Sequence, residues 1–73
     1  PQVGDVVLDQ NTNASATVAK VIRLFDRVRL FVRNASVDWS LGQENNDLST
    51  LSFFLNDQLN QHRLKFYRQN QRI

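Results

Sequence analysis

Short runs of alternating apolar and polar residues, separated by turn-forming segments, characterise the first part of the chain. The run VVL at residues 6–8 follows the turn-forming pair Gly4-Asp5 and predicts a short β-strand. Residues 9–15 read DQNTNAS, and side chains of these types bond to their own backbone in loops. The pattern therefore begins with a strand and a polar loop.

The stretch 16–33 fits two hydrophobic periods. With a period of 3.6, six apolar residues form one stripe of a single helix, and with a period of two the same stretch forms two strands. Five β-branched residues, which lose side-chain freedom in a helix, favour the strands. A single helix would also leave the strand at 6–8 without a partner. We interpret 16–33 as two strands that turn near Asp26.

This interpretation assigns the two faces of each strand. On the first strand Val18, Ile22 and Leu24 share a face, and Leu24 and Leu30 are expected in the core. The opposite face of the second strand presents three arginines and one phenylalanine, namely Arg27, Arg29, Phe31 and Arg33. Arginine beside an aromatic ring can hold a phosphate and stack a base, which makes this face the strongest functional signal.

The remainder of the chain predicts a fourth strand and then a helix. Alternation over 37–41 predicts a strand that ends at Gly42. From residue 46 on, leucines fall at helical spacing, and we predict a helix over 48–62. A rival interpretation makes LSFFL and RLKFY the two arms of a hairpin, and residues 63–69 fit either the end of the helix or a last strand.

The predicted fold is therefore mainly β. It resembles a small SH3-like barrel of four to five short strands over residues 1–45, with a C-terminal helix and basic tail over 46–73 in the same domain, α+β overall. Trp39 and Phe53 are expected to close the core. Two adjacent phenylalanines cannot both face inward on one element, so Phe54 is a candidate interface anchor.

Charge is distributed unevenly along the 73 residues, whose net charge is +2. Residues 1–57 hold five basic and seven acidic side chains, whereas residues 58–73 hold four basic and no acidic ones. A basic tail indicates an acidic protein surface or nucleic acid as partner. Its candidate contact residues are Arg63, Lys65, Tyr67 and Arg68.

Candidate catalytic and cofactor sites are lacking in the sequence. The chain has no cysteine and one histidine, His62, whereas a metal site needs three or four converging ligands. The acidic residues are scattered singly beside predicted turns, where aspartate bonds locally, and two glycines cannot form a phosphate-binding loop. We therefore predict a non-enzymatic protein with no cofactor, no small-molecule substrate and no membrane-spanning segment.

Two copies of the tripeptide Asn-Ala-Ser stand at residues 13–15 and 34–36. They match the acceptor pattern for N-glycosylation, but this pattern is common by chance. We interpret both copies as turns.

The order of short motifs resembles a known structural module. Four strands with a turn-rich connection look like an SH3-like barrel. More particularly, the first 40 or so residues are similar to a β-module of virion proteins from contractile-tailed bacteriophages. The matching motifs are VGD at 3–5, ATV at 16–18, LFVRNAS at 30–36 and LGQ at 41–43.

Two functions follow as expectations. The resemblance implies a structural component of a phage particle, assembled in the host cytoplasm and packed against neighbouring subunits through protein–protein contacts or self-association. The alternative, from the residues themselves, is an SH3-like nucleic-acid-binding module of the cytoplasm that uses the basic-aromatic strand face and the basic tail.

Overall fold

Six strands account for most of the chain that the structure describes. The computed structural model describes residues 1–44, 50–55 and 62–68. In chain order the strands are β1 (Val6–Asp9), β2 (Ala14–Arg23), β3 (Val28–Arg33), β4 (Gln43–Glu44), β5 (Leu51–Phe54) and β6 (Leu64–Tyr67). They form one antiparallel sheet in the order β4-β5-β3-β2-β1-β6. Helical geometry within the described ranges is limited to His62 and Arg63, so the protein is mainly β.

One face of this sheet carries the core. Alternate residues of β1, β2 and β3 are buried, as expected when a strand has one apolar face and one polar face. Side chains from β5, β6 and the segment after β3 complete the cluster. The buried apolar residues are Val7, Ala14, Ala16, Val18, Leu30, Val32, Trp39, Phe53 and Leu64. The Trp39 and Phe53 rings lie 6.1 Å apart between centroids, which confirms that both belong to the core.

The sheet is open. Its two edges are β4 and β6, and within the described residues these strands do not pair with each other. The predicted SH3-like barrel of four to five strands is therefore not found, and a six-stranded open sheet takes its place. Hydrophobic alternation shows which face of a strand is buried, but the same alternation occurs in open and closed sheets.

The two strands predicted over 16–33 are confirmed, with their turn at Asp26. Leu24 N–H donates to the Arg27 carbonyl at 2.8 Å, which closes a four-residue turn without glycine. The predicted faces of β2 are wrong in part. The register between β2 and β3 shifts between Val18 and Lys20, so Ala19 is an extra residue in a β-bulge.

This bulge reverses the alternation for the rest of β2. Val18 is buried, but Ile22 lies opposite Arg29, on the outer side of the sheet. Leu24 lies in the turn and is 46% exposed, so its predicted place in the core is also wrong. Leu30 is completely buried, as predicted.

The strand predicted over 37–41 is a turn instead. Trp39 N–H donates to the Ser36 carbonyl at 2.9 Å, and the Ser36 hydroxyl donates to Asp38 Oδ1 at 2.8 Å. These local bonds compete with strand pairing. Trp39 then reaches the core through the turn, and its indole N–H donates to the Leu41 carbonyl at 2.7 Å.

The helix predicted over 48–62 is wrong over residues 51–54, which form β5. The leucine spacing fits a helix, but pairing with β3 buries Phe53 opposite Leu30 and so prevails over local helix preference. The rival interpretation was right that LSFFL and RLKFY contain strands. They do not pair with each other, since β5 pairs with β3 and β4 while β6 pairs with β1. Residues 48–49 and 56–61 of the predicted helix lie outside the described residues.

The prediction that both Asn-Ala-Ser tripeptides are turns is correct only at their asparagines. Asn13 ends the turn after β1 and Asn34 lies in a bend after β3, whereas Ala14 and Ser15 begin β2. Asn13 and Asn34 have φ angles of 61° and 54°, in the left-handed region that asparagine tolerates better than most residues. The two tripeptides also contact each other. Ser36 N–H donates to the Ser15 carbonyl at 2.9 Å, and Ser15 N–H donates to the Ser36 hydroxyl at 3.0 Å.

Candidate interaction surface

The outer side of β3 carries the predicted basic and aromatic side chains. Leu30 and Val32 are completely buried, and the residues that alternate with them, Arg29, Phe31 and Arg33, project to the opposite side. Arg27 precedes the strand in the turn and is exposed. The three β3 residues predicted to share a face therefore do so.

Neighbouring strands extend this surface. Because of the β2 bulge, Lys20 lies opposite Phe31 rather than in the core. On the other side of β3, Phe54 lies opposite Arg29 and Ser52 lies opposite Phe31. Sequence reasoning marked Phe54 as a contact residue but missed Lys20, since the register shift that places it is not visible in the alternation.

The cations of this surface lie over its two aromatic rings. Arg27 is 4.5 Å from the centroid of the Phe54 ring, and Arg29 is 5.8 Å from it. The Phe31 ring has two cations beside it: Arg29 lies 5.0 Å from its centroid and Lys20 lies 5.5 Å from its centroid. Each such contact at an exposed site contributes about 0.5–1 kcal/mol. We call this set the cationic-aromatic face; it consists of Lys20, Arg27, Arg29, Phe31, Arg33 and Phe54.

Its positive charge is only partly neutralised. Arg27 forms an ion pair of 3.5 Å with Asp26, and both side chains are largely exposed, so the pair is weak. Arg29 Nη2 donates to the uncharged Ser52 hydroxyl at 3.2 Å. Among the described residues, no acidic side chain pairs with Lys20, Arg29 or Arg33. Within the described residues, most of the positive charge of the face is therefore not paired with an acidic side chain.

A cleft opens beside Arg29 at the β4 edge. Its volume is about 430 Å³, and its lining residues are Arg29, Gly42, Gln43, Ser52, Phe53 and Phe54. Gly42 has a φ angle of 94°, and a Cβ atom on it would lie 2.8 Å from the Ser52 carbonyl oxygen. The absence of a side chain at Gly42 therefore allows the segment to cross β5 closely.

Arg63, predicted as a contact residue of the basic tail, is engaged inside the protein. Its Nε donates to Asp9 Oδ1 at 2.7 Å, and its Nη2 lies 2.7 Å from Asp9 Oδ2. Nη2 donates its hydrogen bond to the Ser40 hydroxyl at 3.0 Å, so its contact with Oδ2 is mainly ionic. Asp9 is completely buried, and Asn11 N–H also donates to its Oδ1 at 3.0 Å.

The electrostatics of this pair follow from its burial and its hydrogen bonds. Burial acts to raise the pKa of Asp9, but the hydrogen bonds from Arg63 and Asn11 N–H outweigh it, and the pKa lies below its usual value. The hydrogen bond to Asp9 raises the pKa of Arg63. The sequence shows Asp9 as a turn residue and Arg63 as a tail residue, 54 positions apart, and contains no signal that pairs them.

The other tail residues lie at the far edge of the sheet. Lys65 and Tyr67 lie opposite Leu8 and Val6, on the outer side of β6, since the alternating residue Leu64 is buried. Arg68 follows the strand and is exposed. Two strands, β2 and β1, lie between β3 and β6 in the sheet. The tail residues and the cationic-aromatic face are therefore separate clusters on the same side of the sheet.

Two loops present fully exposed apolar side chains that sequence reasoning did not single out. Phe25 is 106% exposed at the β2–β3 turn, and Val37 is 105% exposed in the turn after β3. A large apolar residue inside a predicted turn is the signal that was available for Phe25. Val37 was hidden by its alternation with Trp39 and Leu41.

The described residues contain no group of three or more His, Asp or Glu side chains that could hold a metal ion. His62 is exposed, and its carbonyl accepts a hydrogen bond from Gln10 Nε2 at 3.2 Å. Within these residues no helix is long and apolar enough to cross a membrane. Comparison of the chain with protein-family models, curated proteins and solved structures found no match.

Proposed function

We propose that this protein is a non-catalytic assembly module that packs against neighbouring subunits. The observation that carries the proposal is the full exposure of Phe25 and Val37. Burying one such side chain against a partner contributes about 1.5–3 kcal/mol, so each of the two turns offers an apolar contact for another protein surface.

The positions of these residues favour head-to-tail contacts. Phe25 precedes β3 and Val37 follows it, so they lie beyond opposite ends of a strand of six residues. At about 3.3 Å per residue, the strand separates them by about 20 Å. Two different apolar points at opposite ends of a subunit suit heterologous contacts, which generate rings or stacks of identical copies.

A phage particle is the setting that best agrees with such contacts. The motif order VGD, ATV, LFVRNAS and LGQ resembles a β-module of contractile-tailed phage virion proteins, and repeated small subunits are typical of such particles. The protein would then act in the virion, after assembly in the host cytoplasm.

A complementation experiment tests the head-to-tail arrangement. We expect the wild-type protein to form oligomers in sedimentation velocity, with a mass that rises with concentration. Phe25→Ser and Val37→Ser each remove one end of the contact, so each variant alone should be monomeric. In an equal mixture, the intact Val37 of the Phe25→Ser variant can contact the intact Phe25 of the Val37→Ser variant. The mixture should therefore form dimers but nothing larger.

The matched control is Leu8→Ser, a substitution of a partly exposed apolar residue within β1 rather than in either turn. It should leave the oligomer distribution unchanged. A wild-type protein that remains monomeric at millimolar concentration would overturn the proposal. So would variants that assemble as the wild type does.

A further inference from the structure

We propose that the cationic-aromatic face binds single-stranded nucleic acid, with the strand running along β3. This function goes beyond the proposed assembly and uses different residues. Assembly is assigned to Phe25 and Val37 at the turns, whereas nucleic-acid binding is assigned to side chains on the outer side of β2, β3 and β5.

Charge complementarity is the first argument. Four cations lie on one side of the sheet: Lys20 on β2, Arg29 and Arg33 on β3, and Arg27 in the turn that joins these strands. Only Arg27 is paired with an acid among the described residues, through the exposed contact with Asp26. A partner that covers this face must therefore carry several negative charges, as a phosphate backbone does.

The arrangement of rings and cations distinguishes a nucleic acid from an acidic protein. Four cation–ring distances of 4.5–5.8 Å place a positive charge beside each aromatic ring. A nucleotide has a planar base and a phosphate within the same unit, so it can use a ring or guanidinium for stacking and an adjacent cation for its charge. A carboxylate side chain can use only the cation, which would leave Phe31 and Phe54 unused.

The size and the stacking requirement favour a single strand. From Arg27 to Arg33 the face extends over six residue steps, which is about 20 Å at 3.3 Å per step. That length suits about four nucleotides, the lower end of the range for small single-strand-binding domains. In a duplex the base faces are covered by neighbouring base pairs, so Phe31 and Phe54 could not stack on them.

Fluorescence anisotropy with a labelled 12-nucleotide oligothymidylate tests the proposal on the whole chain. With four phosphate contacts, log Kd should change with log salt concentration with a slope of about 3, since each contact on a single strand contributes about 0.7. Affinity should therefore fall about 50-fold between 50 and 200 mM salt.

Two kinds of substitution separate charge from stacking. Arg33→Gln should weaken binding at low salt and reduce the slope by about 0.7, because it removes one phosphate contact. Phe31→Leu and Phe54→Leu should weaken binding by about 5- to 100-fold with little change in slope, because they remove stacking. Trp39 fluorescence reports whether each variant is folded, since Trp39 is buried in the core.

Arg23→Gln is the matched control. Arg23 is an exposed arginine on β2 that lies opposite Val28, which packs against the core side of the sheet, and it donates to the Pro1 carbonyl at 3.1 Å. Its replacement changes the net charge as Arg33→Gln does but should leave affinity and slope within twofold of wild type. Phe25→Ser should also retain full binding, which separates this proposal from assembly.

Four outcomes would overturn the inference. The first two are that the oligonucleotide does not bind at 50 mM salt, and that folded Phe31→Leu and Phe54→Leu variants bind it with full affinity. The third is that a duplex of the same length binds equally or more tightly. The fourth is that poly-glutamate of the same charge binds equally. The last would identify an acidic protein as the partner instead.

Discussion

The ion pair between Asp9 and Arg63 leads to the sharpest prediction on stability. Arg63→Met keeps much of the aliphatic length of the side chain but removes the guanidinium. Asp9 is then left completely buried, with hydrogen bonds from the Asn11 N–H and the Thr12 side chain but no cation beside it. An unpaired buried carboxylate is among the most destabilising groups in a protein.

The expected loss in the free energy of unfolding is about 3 kcal/mol at pH 7. Breaking a buried pair by removing one partner costs about 3–5 kcal/mol. We expect the lower end of this range for Arg63→Met. The Arg63 side chain is 21% exposed, so water can partly take the place of the guanidinium beside Asp9. A domain of this length has a total stability of about 4–11 kcal/mol, so this loss is a large fraction of it.

The contribution of Asp9 to the free energy of unfolding should depend on pH with opposite sign in the wild type and in the Arg63→Met variant. In the wild type the pKa of Asp9 is lowered, so the carboxylate contributes stability above its unfolded pKa of about 4, and that contribution is lost as pH falls through the folded pKa. Without Arg63, burial is the largest remaining influence on the pKa of Asp9 and acts to raise it, so we expect the pKa to lie above the unfolded value. Its contribution is then present at low pH and is lost as pH rises, so the deficit of the variant should shrink between pH 7 and pH 4.

Urea unfolding followed by Trp39 fluorescence measures both effects, since Trp39 is the chain's one tryptophan and is buried. Arg23→Met is the control, because Arg23 is exposed and forms one hydrogen bond to a backbone carbonyl. It should change the free energy of unfolding by less than about 0.5 kcal/mol. The double variant Asp9→Asn with Arg63→Met removes the buried charge and should be more stable than Arg63→Met alone.

Two results would refute this reasoning. One is a loss below about 1 kcal/mol for Arg63→Met at pH 7, which would mean that Asp9 is well solvated without its partner. The other is a deficit that stays constant from pH 7 to pH 4, which would mean that the pKa of Asp9 does not depend on Arg63.

Three further substitutions can be measured by the same urea unfolding. Leu30→Ala should cost about 2–5 kcal/mol, because Leu30 is completely buried between β2 and β5; a loss below 1 kcal/mol would argue against its place in the core. Gly42→Ala should cost at least about 1 kcal/mol, since φ is 94° and the new Cβ would meet the Ser52 carbonyl at 2.8 Å; an unchanged midpoint would contradict that close approach. Asn34→Gly should be nearly neutral while Asn34→Ala costs about 1 kcal/mol, because φ is 54°, and equal losses for the two would contradict the left-handed conformation.

Local patterns predicted the strands where alternation was regular. Over 28–33 every second residue is apolar, and the structure buries Leu30 and Val32 while Arg29 and Phe31 project outward. The leucine spacing after residue 46 was misleading, since Leu51 and Leu55 fit a helix as well as a strand. Pairing with β3 decided between them, and that contact is between segments far apart in the chain.

The candidate surface was predictable in its centre but not in its extent. Arg29, Phe31 and Arg33 follow from alternation, and Phe54 follows from the rule that two adjacent residues of one element do not both face inward. Lys20 joins them only because of the bulge at Ala19, which the sequence pattern does not show. The pairing of Arg63 with Asp9 was likewise invisible, since it depends on β6 lying beside β1.

The sequence by itself determined the β character, the buried side of β3, the two asparagine turns and the uneven charge. Each depends on residues within a few positions of one another, where backbone preference and hydrophobic period act directly. Only the tertiary structure decided the open sheet order, the register shift in β2, the use of Arg63 inside the protein and the grouping of cations around Phe31 and Phe54. These features depend on which distant strands pair, and pairing is decided by the combined burial of all strands rather than by any one segment.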